Sequence, residues 1–296
     1  MYLVFDIGGT AIKYAVMDNE TTIHEQGEFE SAPLTTLDKF IKAIENTYRH
    51  CSHKIEGIAM CCPGVIDAKN GIIEIVVAYP YLNNICLTKL VSKACDNIPT
   101  SLENDGKCAG LAEVWKGNAS HANDAIVIVF GTGIGSAIIK NKKIHHGKHR
   151  LAGEISTIIS RYDKKEHEIL TWSDTCSTKG LCKIVEKKKG LEPNTITGRI
   201  IFQLADEKDP EILEILEQYY YDIAIQLYNL QYMYDPEIIC IGGGVSRQPR
   251  VLEGIKKAIE IIHEDRKQIV KPEVNVCKFF NEANLIGALY YFFNRE

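Results

Sequence analysis

The sequence predicts an α/β protein built from two related halves, and three observations carry that expectation. Strand-forming runs alternate with helical periodicities along the whole chain, the pattern of layered α/β architectures. A strand, a glycine-rich bend and a second strand open the chain (VFDIGGTAIKYAV, Val4–Val16), and the same pattern returns half a chain later as AIVIVFGTGIGSAIIKNKK. With 296 residues, there is enough chain for two domains, each with its own core.

The elements follow in order. After the first strand pair, residues 18–33 form a polar stretch. Leu37 to Tyr48 places Leu37, Phe40, Ile41 and Ile44 on one helical face, with Thr35 or Thr36 as N-cap. KIEGIAMCCPGVID is a strand closed by Pro63-Gly64, Leu87 to Ala94 a helix, IPTSLEND a strand stopping on polar residues, and Lys107 to Trp115 a helix. Residues 116–120 (KGNAS) are the linker candidate. Past Glu211, a stripe of Ile212, Ile215, Leu216, Tyr219, Ile223, Leu227 and Leu230 marks a long amphipathic helix that Asp235-Pro236 ends. The strand EIICIG, the triplet Gly242-Gly243-Gly244, a helix from near Val251 and an apolar helix from Ala283 to Phe293 complete the chain. The long stripe is expected to be core or a dimer contact.

Composition excludes several classes. A net charge of -5 argues against a nucleic-acid-binding surface. The basic stretch Lys140 to Arg150 (KNKKIHHGKHR) is therefore expected to be a solvated loop, with His145, His146 and His149 as exposed loop histidines. No apolar run approaches the roughly 20 residues that span a bilayer, so no membrane role is expected. The opening YLVFDIGG shows no export signal, and the cytoplasm is the expected location. The ten cysteines form no Cys-x-x-Cys pair, so they are expected to be reduced, mostly buried apolar residues rather than a structural metal site.

Three glycine bends remain: Gly8-Gly9-Thr10, Gly131-Thr132-Gly133-Ile134-Gly135 and Gly242-Gly243-Gly244. A backbone that closely approaches phosphate oxygens needs glycine, because a side chain holds the amides away. No stretch matches the P-loop, and Gly131 to Gly135 runs into strand-like residues where a dinucleotide fingerprint requires a helix. What fits is a β-hairpin phosphate cradle. Asp6 is placed to hold a cation or its waters, Thr10 and Thr132 offer hydroxyls, and Lys13 adds positive charge. For a single bend a plain hairpin would be the simpler explanation; three bends favour the cradle.

A proton acceptor is available at Glu103-Asn104-Asp105, where a strand meets a helix, the end of the strand at which α/β layers bind ligands. Asp105 suits a base toward a hydroxyl, and Asn104 suits hydrogen bonding to neighbouring hydroxyls; either also suits an N-cap, and the two roles are compatible. Glu154, in RLAGEISTIIS, sits among apolar and small residues. It is either a carboxylate partnered by polar ligand groups or a surface residue at a strand edge.

Taken together, Asp6 to Thr10 with Lys13, Pro63-Gly64, Glu103-Asn104-Asp105, Gly131 to Gly135, Ala152-Gly153-Glu154 and Ile241 to Gly244 resemble, in order, the ROK family of bacterial sugar kinases. That resemblance covers nearly the whole chain. It implies a two-domain actin-like ATPase (ribonuclease H-like) fold, related to hexokinase and Hsp70, with a nucleotide and sugar cleft between the domains. The domains implied are residues 1–117, completed by the terminal helix at 283–296, and residues 118–282. It implies Asp105 as general base, Gly64, Asn104, Glu154 and, by a looser match, Asp174 as sugar contacts. Asp6, Gly8, Gly9, Thr10, Lys13, Gly131, Thr132, Gly133, Gly135, Gly243 and Gly244 would surround ATP, with Mg²⁺ held by Asp6 through water. A homodimer is implied as well.

Two departures narrow the resemblance. Most ROK proteins follow the Gly-Glu pair with a histidine that binds zinc and neighbours the sugar; here Thr157 takes its place. The cysteine-rich zinc segment is reduced to Cys176 and Cys182, so no zinc site is expected. The chain resembles the zinc-less β-glucoside kinase subgroup, which phosphorylates the 6-hydroxyl of glucose in cellobiose and related β-glucosides. Glucokinase or N-acetylmannosamine kinase is the alternative. A transcriptional regulator is a further one, disfavoured because the phosphate motif begins at Asp6 and leaves no room for a DNA-binding domain ahead of it.

Overall fold

The computed structural model describes residues 1–267, 269–280 and 282–295, and the chain divides into two compact units. The first contains residues Met1–Trp115, His146–Ala152 and Asn281–Glu296. In chain order its elements are β1 (Tyr2–Ile7), β2 (Ala11–Met17), β3 (Ile23–Glu30), α1 (Leu37–His50), β4 (Gly57–Cys62), β5 (Val65–Asp67), β6 (Ile72–Ile75), β7 (Ile85–Cys86), α2 (Leu87–Ala94), β8 (Thr100–Asn104) and α3 (Asp105–Lys116). The main sheet has the order β3-β2-β1-β4-β8. The β1–β2 and β2–β3 pairs are antiparallel, and the β1–β4 and β4–β8 pairs are parallel. Leu3, Phe5 and Ile7 of β1 join Phe40 and Ile44 of α1 and Val91 of α2 in its core.

α1 begins where the threonines suggested. Thr36 is the N-cap and its side chain accepts from Lys39 N (3.3 Å), satisfying an otherwise unpaired helix-terminal amide. The polar segment 18–33 contains β3, a sheet-edge strand whose residues alternate between half-buried and exposed. Charged residues on an edge strand discourage pairing with other chains, and here they masked the period-2 signal.

The second unit comprises Lys116–His145 and Gly153–Phe280. Its elements are β9 (Ala125–Phe130), β10 (Ile134–Lys140), β11 (Lys143–Ile144), β12 (Ile159–Asp163), β13 (Glu168–Thr171), α4 (Trp172–Cys176), α5 (Thr178–Lys189), α6 (Gly198–Asp206), α7 (Pro210–Tyr234), β14 (Ile238–Gly242), α8 (Pro249–Arg266) and β15 (Val274–Val276). Its sheet runs β11-β10-β9-β14-β15. The pair directions repeat those of the first unit, antiparallel through β9–β10 and β10–β11, then parallel through β9–β14 and β14–β15. The seven-residue stripe of α7 is buried in this unit's core. Asp235 closes α7 in a left-handed conformation (φ 52°), with its amide on Gln231 O.

The final helix, α9 (Ala283–Asn294), belongs to the first unit and packs on β1, β4 and β8. At Gly287 it meets the backbone of α3 so closely that a Cβ there would overlap the Cys108 carbonyl. One segment differs from the sequence expectation. Residues 146–152 fall with the first unit rather than the second, because their side chains and backbone bond to β5, β6, β8 and α3. Seven of the ten cysteines are buried. Among the described residues, no helix is long and apolar enough to cross a membrane.

Candidate active site

In the first unit, β1 and β2 are joined by the three-residue bend Gly8-Gly9-Thr10, which is braced from behind. Gly8 N donates to Asp6 O (3.2 Å) and Ala11 O (3.1 Å). The hydroxyls of Tyr79 and Ser31 donate to Gly8 O at 2.5 and 2.9 Å. Neither bracing residue was singled out by sequence, since one lies 71 residues away and the other 23. Gly9 and Thr10 are exposed at the tip.

Asp6 lies one residue inside β1, opposite Lys13 of β2. Its Oδ1 accepts from Asn284 Nδ2 on α9 (3.2 Å) and from the Cys61 thiol (3.5 Å). Burial raises its carboxyl above the ordinary aspartate range, and the Asn284 and Cys61 hydrogen bonds and the Lys13 charge only partly oppose that. A half-buried carboxyl group beside bare backbone has the chemistry to hold a cation.

β8 ends in the expected junction. Asn104 caps α3: its Oδ1 accepts from Lys107 N (3.0 Å), while its Nδ2 donates to Gly64 O (3.0 Å). The capping reading and the ligand-side reading of Asn104 therefore share one residue. Gly64 has φ 106°, and a Cβ would run into the carbonyl of Ile75, so no other residue fits that bend. Asp105 is the first residue of α3, with Oδ1 accepting from Gly106 N (2.8 Å).

Behind the junction, Glu103 has no exposed surface at all. Its Oε1 accepts from Asn104 N and its Oε2 meets His146 Nε2, both at 2.7 Å. His146 is thus not the exposed loop histidine that the sequence suggested. Arg150, read as part of a solvated basic loop, pairs with Asp67 Oδ2 (2.5 Å) and Glu74 Oε1 (2.6 Å). Its carbonyl accepts from Lys107 Nζ (3.2 Å), a lysine only 1% exposed. The surrounding run of Lys, His and Gly hid these contacts, because solvated loops have the same composition.

In the second unit, β9 and β10 are joined by Gly131-Thr132-Gly133, and Gly135 follows within β10. Gly131 N donates to Gly133 O, and Gly131 O accepts from Thr178 N at the start of α5, both 2.9 Å. Thr132 and Gly133 are exposed. β14 ends at Gly242, after which Gly243 takes φ 89° with the Phe130 carbonyl where a Cβ would stand. Gly244 is exposed beside it.

Glu154 leads into a short 3₁₀ turn over Ile155–Thr157. The Thr157 hydroxyl is turned back onto its own chain, donating to Glu154 O at 2.8 Å. Asp174 sits in the capping box of α4, where its Oδ2 accepts from Thr171 N (3.0 Å) and Thr171 Oγ1 (2.7 Å). The Thr171 hydroxyl chiefly holds the Asp174 carboxyl below the usual range. Cys176 is core, with burial pushing its thiol up to about 12, and Cys182 packs partly buried against the same core.

Two sheets of one topology, each closed by a glycine bend, define a two-domain actin-like ATPase fold. The ROK family model matches residues 2–295, and the chain belongs to that family. A β-glucoside kinase of Listeria monocytogenes is 30% identical over 299 residues, covering 99% of this chain and 97% of that protein. A glucokinase of Halalkalibacterium halodurans is 28% identical over 310 residues, covering 97% of this chain and 93% of that protein. Among solved structures, a ROK family protein from Streptococcus pneumoniae in complex with sucrose is 30% identical. Its TM-score is 0.89 over 98% of this chain and 97% of that one.

Proposed function

We propose that the protein is an ATP-dependent sugar kinase that transfers the γ-phosphoryl group to the 6-hydroxyl of glucose in β-glucosides such as cellobiose. The observation that carries the reading is the Asn104–Asp105 turn. It offers a carboxylate at the end of a parallel strand, on a backbone fixed by Glu103 and Gly64. Asp105 accepts the proton of the attacking hydroxyl, and Asn104 and Glu154 orient the sugar ring. Phosphoryl transfer depends mostly on positioning and charge neutralisation, so a rigid base and fixed amides are the main protein contributions.

The nucleotide phosphates lie against the bends. At Gly9, Gly131, Gly133 and Gly244 an added Cβ would meet nothing closer than 3.6 Å, so the fold itself does not require glycine there. Close approach by a ligand does. In this reading the Thr10 hydroxyl and the Lys13 charge add to the first bend, and the Thr132 hydroxyl to the second. Mg²⁺ bound with the nucleotide supplies neutralisation of phosphate charge, and Asp6 is the residue that would hold it through water.

The choice of β-glucosides rests on Thr157. Its short side chain turns back onto Glu154 O, and in this reading the place of the family histidine ring is left for an aglycone. The relative named β-glucoside kinase agrees with this, and the one named glucokinase supplies the competing reading. A coupled ADP assay over glucose, cellobiose, arbutin, salicin, N-acetylmannosamine, N-acetylglucosamine and fructose tests both. We expect kcat/KM to be highest for the β-glucosides. A clear preference for free glucose assigns glucokinase instead, and turnover of none of these sugars removes the kinase reading.

A further inference from the structure

Glu103 is a carboxylate with no solvent contact, one residue before the pair expected to handle the sugar. A carboxyl group so placed must have its oxygens hydrogen-bonded, because burying it without partners is costly. Each of its oxygens has one hydrogen-bond partner. Oε1 accepts from the main-chain amide of Asn104, and Oε2 from Nε2 of His146, both at 2.7 Å. With Glu103 Oε2 as the acceptor, Nε2 is the nitrogen that donates.

The carboxylate therefore acts as a strut. At one end it holds the amide of Asn104, and with it the direction in which the chain leaves β8 for Asp105. At the other end it is held by a side chain 43 residues away. His146 is itself fixed. Its carbonyl accepts from Ala152 N (3.2 Å), closing residues 146–152 into a loop. Arg150 anchors that loop through Asp67, Glu74 and Lys107, and holds a left-handed backbone (φ 60°) that only over-determined surroundings maintain in a residue with a side chain.

We infer that His146 is a positioning residue for phosphoryl transfer, setting the Asn104–Asp105 turn through Glu103. The inference rests on Asp105 being the proton acceptor, and its mechanism is geometric. A base displaced by a fraction of an ångström from the attacking hydroxyl loses rate without losing affinity.

The test uses the full-length enzyme and the sugar that the wild type turns over best. In His146→Ala, kcat is expected to fall about tenfold while the KM values for sugar and ATP stay within about threefold, as a misplacement without lost contacts predicts. His146→Gln places an amide nitrogen where Nε2 stands and is expected to recover most of that loss. His146→Asn, whose amide reaches only as far as Nδ1, is expected not to. The decisive measurement is the pair of backgrounds. If His146 works through Asp105, His146→Ala added to Asp105→Asn lowers kcat no further. A further tenfold loss in that background, wild-type kcat in His146→Ala, or equal rates in the Gln and Asn variants each overturns the inference. Should Asp105→Asn alone keep full turnover, the base assignment fails and takes this inference with it. Loss of turnover in Asp105→Asn with none in His146→Ala sinks only the latter.

Discussion

The two sheets share strand order, strand direction and a three-residue bend, yet they carry different chemistry. In the first, the residues paired one step inside the bend are Asp6 and Lys13; in the second, they are Val129 and Gly135. The inner parallel strands both run into a glycine with positive φ, Gly64 after β4 and Gly243 after β14. The outer ones diverge again. β8 ends on Glu103 and Asn104 and leads into Asp105, whereas β15 ends on Val276 and leads into Cys277. The repeated topology fixes where bare backbone is presented. At these strand ends and bends the side chains give carboxylates, Asp6 and Asp105, to the first sheet, while the second presents amides and the Thr132 hydroxyl.

The largest expected effect tests the carboxylate side directly. Asp105→Asn should lower kcat by roughly 10²–10⁴-fold, the usual contribution of a general base, with sugar KM changed only severalfold. Initial rates with the preferred sugar measure it, and near-normal turnover would take the base out of the first unit.

Asp6→Asn should cost on the order of 10²-fold in kcat, as loss of one electrostatic anchor does. Its effect on stability has the opposite sign. Burial raises the folded-state pKa of Asp6 above its unfolded value, so the folded protein binds that proton more tightly. The resulting stability is present below the unfolded pKa and is lost as pH rises through the folded one. The substitution should therefore raise Tm of the ligand-free protein at pH 7, with the gain vanishing toward the acid range. A lower Tm at pH 7 would mean that Asn284, Cys61 and Lys13 more than offset the burial.

The amide side is sharpened by two glycines with different duties. Gly243→Ala should destabilise by about 1–3 kcal/mol, since both its dihedral and the Phe130 carbonyl exclude a Cβ. Gly133→Ala has room, the nearest atom to its Cβ being Ser173 Oγ at 3.6 Å. It should leave Tm unchanged and raise KM for ATP about tenfold, the cost of one lost phosphate contact. If it raised KM for sugar instead, the division of labour between the sheets would fail. At the small end, Thr36→Ala removes only the α1 cap. It should cost about 1 kcal/mol in chemical denaturation with both KM values intact.

How much of this was legible depended on sequence distance. The bends, the Asn104 cap, the α7 stripe and the limits of α2 follow from residues within a few positions of each other, because turn glycines, capping side chains and helical periodicity are local. β3 was missed, since an edge strand with charged residues looks like a loop. Helices α4 to α6 were missed too: α4 has five residues, and α5 ends in a lysine run that dilutes its apolar face.

The site divides along the same line. Sequence alone determined that bare glycine bends recur, that a carboxylate follows the last parallel strand of the first unit, and that threonine replaces the family histidine. Only the folded chain decided that Tyr79 and Ser31 brace the first bend, that Asn284 reaches Asp6, and that His146 and Arg150 leave the solvated loop to hold Glu103, Asp67 and Glu74. Backbone conformation is written in neighbouring residues. The partner of a buried charge is set by which distant segment the packing brings beside it.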